Sequence, residues 1–245
     1  MDKIAGKTNY DKIAAIYIPH AEDKLSWNNL YERPYMLSIF DDFKNKKILD
    51  AGCGTGFYSK YATDKNAEVM AIDASQKMLD HLGKTNASPR LIMYKANLAD
   101  GLPFIASDSI DYIICSLALH YLENWETIIT EFYRVLKKTG KLYISIHHPF
   151  ADYLVLNKKS YFDKYLVEDK WGSGKNSFNV FFYTRSLSDL LRPFLHSAFN
   201  ILSIDEPAPT IECKRLAPKV FKSLSKQPAF LFMVLEKNNS WLIGK

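Results

Sequence analysis

Cysteine is scarce in this chain of 245 residues: Cys53, Cys115 and Cys213 stand 62 and 98 residues apart. That spacing excludes a CxxC zinc or redox pattern and a disulfide-stapled scaffold, so all three read as reduced thiols. The 10 glycines and 10 prolines, with no periodic placement, exclude collagen-like and low-complexity architectures. No apolar run approaches the roughly 20 residues of a membrane-spanning helix. Residues 1–17 alternate charged with apolar positions, unlike a signal peptide, and a cytoplasmic location is the expectation. A large excess of either charge is also missing, since Lys+Arg 32 against Asp+Glu 27 leaves +5. Residues 1–150 carry 18 basic and 18 acidic side chains and residues 151–245 carry 14 and 9, so the surplus sits in the C-terminal stretch. With 47% hydrophobic and 24% charged residues, what is present is an ordinary globular composition. The length suits one α/β domain with an appended cap.

From Lys46 onward short β-rich runs alternate with amphipathic stretches, the pattern of a parallel sheet covered by helices. Ile48-Leu49-Asp50 reads as a buried strand ending in glycines, followed by a helix over 57–63. A second strand spans 68–73. Ser75 caps the next helix, whose Met78, Leu79 and Leu82 share one face before Gly83 stops it. Further strands are expected over 91–96 and 110–116, a long helix over 123–136, a turn at Gly140 and a fifth strand over 141–146. Residues 150–183 break the rhythm with aromatics, charges and a Gly172-Ser173-Gly174 turn, and read as an inserted cap or loop. Ser186-Leu187-Ser188-Asp189 is a capping box opening a helix that Pro193 should kink or shorten. Two last strands, 201–204 and 230–236, flank a Pro-bounded segment.

Asp50-Ala51-Gly52-Cys53-Gly54-Thr55-Gly56 lies directly between a strand and a helix. Alternating glycines let the backbone turn sharply and approach a ligand. Asp73 ends the next strand 21 residues after Gly52, where a carboxylate accepts hydrogen bonds from ribose hydroxyls. The pattern is G-x-G-x-G, not the dinucleotide G-x-G-x-x-G, and no Walker lysine follows, so a nucleoside site without a pyrophosphate cradle is expected.

These residues carry a resemblance. ILDAGCGTG (48–56), AIDAS (71–75) and LPFIASDSIDYIICSLALHYLENWETIITEFYRVLKKTGKLYIS (102–145) resemble the class I S-adenosylmethionine-dependent methyltransferases, specifically the type 11 group that acts on small molecules and quinones. The resemblance implies a doubly wound, Rossmann-like α/β fold. It implies a seven-stranded sheet, mostly parallel with an antiparallel last strand, helices on both faces, and S-adenosyl-L-methionine as cofactor. Asp50, Gly52, Cys53, Gly54 and Gly56 would line the methionine and ribose side of the donor. Asp73 would bind the ribose, Ala74 and Met78 would pack near the adenine, and Leu98 would cover it. Asn97 stands where many relatives have aspartate. Ser116, Leu117 and Ala118 would follow the donor, with His120 and Tyr121 near the methyl group. Residues 1–45 resemble the family's N-terminal helical lid, with Tyr10, Tyr17 and Trp27 as its aromatics and Tyr17 as one of the donor-binding positions. The whole chain, 1–245, would then be a single methyltransferase domain. Thr139-Gly140 and Ala198-Phe199 depart from the family's turns.

A donor already activated as a sulfonium needs alignment first, and a base only when the acceptor must lose a proton. His120, His148 and Glu206 are the candidates for that base, and His147 lies beside them at the same sheet edge. Metal binding is not expected of His147, His148 and Glu206, because adjacent strand residues point to opposite faces. Arg185 is a candidate partner for an acceptor carboxylate or phosphate. Lys214, Arg215, Lys219, Lys222 and Lys226 recur at near-helical spacing and motivate one alternative, an RNA methyltransferase. The glycine loop alone motivates another, a NAD-type oxidoreductase. The expected acceptor is a small molecule; nucleic acid is not the expected partner.

Overall fold

The computed structural model describes residues 8–156, 159–172, 174 and 177–238. Its strands are β1 (Lys47–Ala51), β2 (Glu68–Asp73), β3 (Leu91–Lys95), β4 (Ile110–Ser116), β5 (Leu136–His147), β6 (Tyr165–Trp171), β7 (Phe178–Thr184), β8 (Phe199–Asp205) and β9 (Phe230–Lys237). Seven of them form one sheet in the order β3-β2-β1-β4-β5-β9-β8, and β6 and β7 pair as a separate hairpin. β9 runs antiparallel to both β5 and β8, while β1 to β5 pair in parallel. The Rossmann-like sheet with its antiparallel last strand is as the family resemblance implies.

Central strands bury both faces, so consecutive apolar residues serve two cores. Ile48, Ile114, Tyr143 and Phe232 enter one, with α2 (Arg33–Ile39), α3 (Phe57–Asp64) and the short helices α8 (Ile211–Leu216) and α9 (Pro218–Leu224). Leu49, Ile113, Ile144 and Met233 enter the other, against α5 (Glu126–Val135) and α7 (Leu187–His196). On α5, Ile128, Ile129, Phe132 and Val135 are fully buried, the stripe that helical spacing provides. α4 (Gln76–Thr85) starts where Ser75 Oγ accepts from Met78 N–H, and α7 where Ser186 Oγ accepts from Asp189 N–H. No helix among the described residues is long and apolar enough to cross a membrane.

Several local expectations are corrected. Gly83 does not end α4, which runs on to Thr85. A Cβ at Gly83 would stand 3.1 Å from Met93 Cε, so the glycine makes room for packing. α5 begins at Glu126, with Trp125 as its N-cap. Gly140 makes no turn: β5 is continuous from Leu136, and a Cβ there would meet the Asp111 carbonyl at 2.7 Å. Pro193 does not shorten α7, which continues to His196 because Leu190 and Phe194 are buried on either side of it. Residues 150–183, expected as an inserted cap or loop, hold regular elements among the described residues. They hold most of α6 (Pro149–Val155) and of the β6–β7 hairpin; Ser173 of the expected turn lies outside the described residues. The basic stripe is split between α8 and α9 at Ala217, and Arg215 pairs with Glu212 at 2.5 Å.

Candidate functional site

The strand order reverses between β1 and β4, and there a crevice opens beyond the carboxyl ends of the parallel strands. It holds a cavity of about 190 Å³. Its floor is the loop after β1. Gly52 and Cys53 N–H both donate to Ile72 C=O, at 2.8 and 2.9 Å, which ties the loop to the end of β2. Gly52 has φ +79°, and a Cβ on it would lie 2.5 Å from Ala118 Cβ, so only glycine passes beneath the exit of β4. Asp73 accepts from Gly54 N–H at 2.9 Å and from Ser75 N–H at 2.8 Å, leaving further lone pairs toward the cavity it lines. Asp50 accepts from Ser59 Oγ at 2.6 Å, and burial pushes its carboxyl up to about 7. Burial also raises Asp73. Asn97 Oδ1 caps a short turn by accepting from Ala99 N–H at 3.0 Å.

The roof comes from the N-terminal segment and the β6–β7 hairpin. α1 (Tyr10–Glu22) is docked by Asp11, whose carboxylate accepts from Ser75 Oγ at 2.6 Å and Lys77 N–H at 3.0 Å at the start of α4. The hydrogen bond from Ser75 is the chief reason the Asp11 carboxyl lies below its ordinary range. Thr8 Oγ1 and the Phe181 backbone exchange two hydrogen bonds, joining the N-terminal segment to β7. Tyr10 donates to Tyr121 Oη at 2.6 Å, and Tyr17 packs edge-on against Tyr10. Burial raises all three phenols, Tyr17 to about 12, so they stay neutral. Leu166, Phe181 and Tyr183 complete the roof.

Glu32 and Arg33 enter between floor and roof. Glu32 closes a five-residue π-helical turn (Asn28–Glu32), and its side chain is buried while lining the cavity. It accepts from Tyr58 Oη, Ser116 Oγ and Ser145 Oγ at 2.7, 2.8 and 2.6 Å. Burial raises its carboxyl. Arg33 is the one cationic side chain lining the cavity among the described residues; it donates to Ala21 C=O and Asn29 Oδ1 and lies over the Phe57 ring.

Of the donor positions expected from the sequence, Tyr17, Asp50, Gly52, Cys53, Gly54, Asp73, Ala74, Met78, Asn97, Leu98, Ser116, Leu117, Ala118 and Tyr121 all line this one cavity. Gly56 does not. At φ +84° it precedes α3, and a Cβ would fall 2.2 Å from Leu82 Cδ1, so its part is packing. None of the expected bases His120, His148 and Glu206 lines this cavity. In the turn Leu119–Tyr121, Tyr121 faces the cavity and His120 is turned away, stacked 3.9 Å from His147 with no hydrogen-bond partner on either ring nitrogen among the described residues. Burial holds His120 well below its usual range and His147 down to about 4. His148 Nδ1 accepts from Phe150 N–H, which leaves Nε2–H to donate to Glu206 at 2.5 Å; the pair caps α6. β5 lies one strand beyond the crevice, next to β4. Arg185 is likewise structural, donating to Leu122 and Glu123 carbonyls over the Trp125 ring. Trp27 is 46% exposed and outside the lining.

Glu32, Arg33, Tyr58 and Phe181 were not singled out for this cavity from the sequence. A signal existed for the hairpin: Phe178, Val180 and Phe182 are buried at alternate positions, the strand period that places Phe181 on the opposite face.

Residues 49–144 match the family model of the methyltransferase domain. A protein of Listeria monocytogenes described as an S-adenosylmethionine-dependent methyltransferase superposes with a TM-score of 0.73 at 26% identity, over 84% of this chain and 96% of its own. An uncharacterized protein of Haemophilus influenzae is 28% identical over 93% of this chain and 95% of its own length. A malonyl-[acyl-carrier protein] O-methyltransferase of Hamiltonella defensa is 30% identical over 45% of this chain, and the matched part is 41% of that enzyme.

Proposed function

We propose that the chain is a class I S-adenosylmethionine-dependent methyltransferase that methylates a small, uncharged, apolar or aromatic acceptor, releasing S-adenosylhomocysteine. The observation that carries this reading is the division of one cavity into an anionic floor and an uncharged roof. Three acids, the buried Glu32 and Asp50 and the half-buried Asp73, against the single cation Arg33 suit a donor with a net positive charge. Asp73 holds the ribose hydroxyls. Ala74, Met78, Asn97 and Leu98 hold the adenine. Asp50, Gly52, Cys53, Gly54, Ser116, Leu117 and Ala118 hold the methionine end, whose carboxylate takes Arg33. Tyr17 and Tyr121 stand at the acceptor end. When bound, the donor supplies a methyl carbon activated by a sulfonium.

What the protein adds is alignment and exclusion of water by the roof. No unpaired base faces the roof among the described residues, so an acceptor that loses a proton on methylation gives it to solvent, and His120, His148 and Glu206 act as structural residues. A carboxylated acceptor such as that named for the Hamiltonella enzyme would meet no cation at this end. Of the lid expected over 1–45 and the cap expected over 150–183 of a single domain, the described residues contribute α1 and the β6–β7 hairpin, and the link from Thr8 to Phe181 supports their closing together. A cytoplasmic setting accords with three buried free thiols.

Thermal unfolding with S-adenosylhomocysteine or NAD at about 100 times the dissociation constant tests the reading. A rise of about 5–10 °C with the former and none with the latter is expected. A response to NAD alone overturns it.

A further inference from the structure

Glu32 is a buried carboxylate with no cation within ion-pair distance among the described residues, in a cavity wall. Such a group is costly unless something on the other side of the cavity compensates it. Its surroundings define what that partner must be. Tyr58, Ser116 and Ser145 each give their hydroxyl proton to Glu32. A hydroxyl whose proton is committed offers only lone pairs elsewhere. Glu32, Tyr58 and Ser116 all line the cavity, so this stretch of wall presents acceptors and negative charge and no side-chain donor. The neighbouring Arg33 guanidinium is directed to Ala21, Asn29 and the Phe57 ring and does not reach Glu32. The carboxylate is delivered by a π-helical turn, a local distortion frequent at functional sites.

We infer that Glu32, with Tyr58 and Ser116, is the binding site for the α-ammonium of the donor's amino-acid end. The inference rests on the donor reading given above. The donor carries two cationic groups, and only the ammonium has N–H protons to satisfy an acceptor-only wall; the sulfonium has none. Glu32 therefore selects for an intact amino-acid end.

Calorimetric titration of three ligands tests this: S-adenosylhomocysteine, its analogue lacking only the α-amino group (the 4-thiobutanoate thioether of 5′-deoxyadenosine), and 5′-methylthioadenosine, which lacks the whole amino-acid end. Wild-type protein is expected to bind S-adenosylhomocysteine at least about tenfold more tightly than the deaminated analogue. Glu32→Gln is expected to lose about tenfold for S-adenosylhomocysteine while 5′-methylthioadenosine stays within about twofold. Equal binding of the first two ligands to wild type overturns the inference irrespective of how any variant folds. Equal weakening of S-adenosylhomocysteine and 5′-methylthioadenosine in Glu32→Gln overturns it in favour of a structural role. Absence of binding of every ligand to wild type overturns the donor reading itself, and this inference with it.

Discussion

The floor of the cavity gathers Asp50 and Asp73 around a backbone loop, with Glu32 at its edge, whereas its roof, from Tyr10 and Tyr17 to Leu166, Phe181 and Tyr183, carries no charged side chain among the described residues. The floor is held by hydrogen bonds to fixed backbone groups: Asp73 to two amides, and Gly52 and Cys53 to the end of β2. Ring packing and a few hydrogen bonds that cross from the N-terminal segment hold the roof. Such a difference suits two tasks. A ligand of constant structure and fixed charge rewards rigid, directional groups, while an apolar partner is recognised by shape and burial, which aromatic side chains supply.

The largest expected break in this comparison is Asp73→Ala. It removes the acceptor for the ribose and frees Gly54 and Ser75 N–H together. S-adenosylhomocysteine affinity should fall about 100-fold or more by titration calorimetry, and an unchanged affinity would remove the ribose assignment. A second test concerns the histidines behind the roof. His147 is held down to about 4 by burial, against an ordinary value of about 6.5 in the unfolded chain. The unfolded state thus takes up a proton first as pH falls, so this contribution is whole above about pH 6.5 and is lost toward pH 4. Asp50, pushed up to about 7, works with the opposite sign, so the informative quantity is the difference from a His147→Asn variant. Between pH 7 and 5 wild type should lose about 2 kcal/mol more unfolding free energy than the variant, read from urea midpoints. Parallel curves would mean that the imidazole is not held neutral. The smallest effect sharpens the comparison most: Phe181→Ala should raise the acceptor KM about tenfold and leave S-adenosylhomocysteine affinity within about twofold. If both constants moved together, roof and floor would be one unit.

The loop from Asp50 to Gly54 was legible because its pattern is local: glycines, a strand before and a helix after, and an acid at the end of the next strand. Ser116 to Ala118 came from the family resemblance, as the residues that close a recognisable strand. Gly56 shows where that logic overreaches, since a glycine in a motif can serve a leucine on a neighbouring helix. His120 and Tyr121 are adjacent in sequence, and a single tight turn sends one into the core and the other to the cavity. Composition carries no trace of that choice. Glu32 was hidden for another reason: an acid in a polar helical stretch reads as solvated, and becomes a buried group only when the lid folds over the sheet.

By itself the sequence determined the seven strands of the main sheet, the α/β class and the glycine loop with Asp73 that floors the cavity, because these depend on hydrophobic period, glycine placement and contacts among neighbours in the chain. Only the tertiary structure decided which titratable groups face the cavity. Burial and pairing of Glu32, His120, His147 and His148 arise where segments 26 to 113 residues apart meet, and the desolvation that gives each group its role exists only once they are packed together.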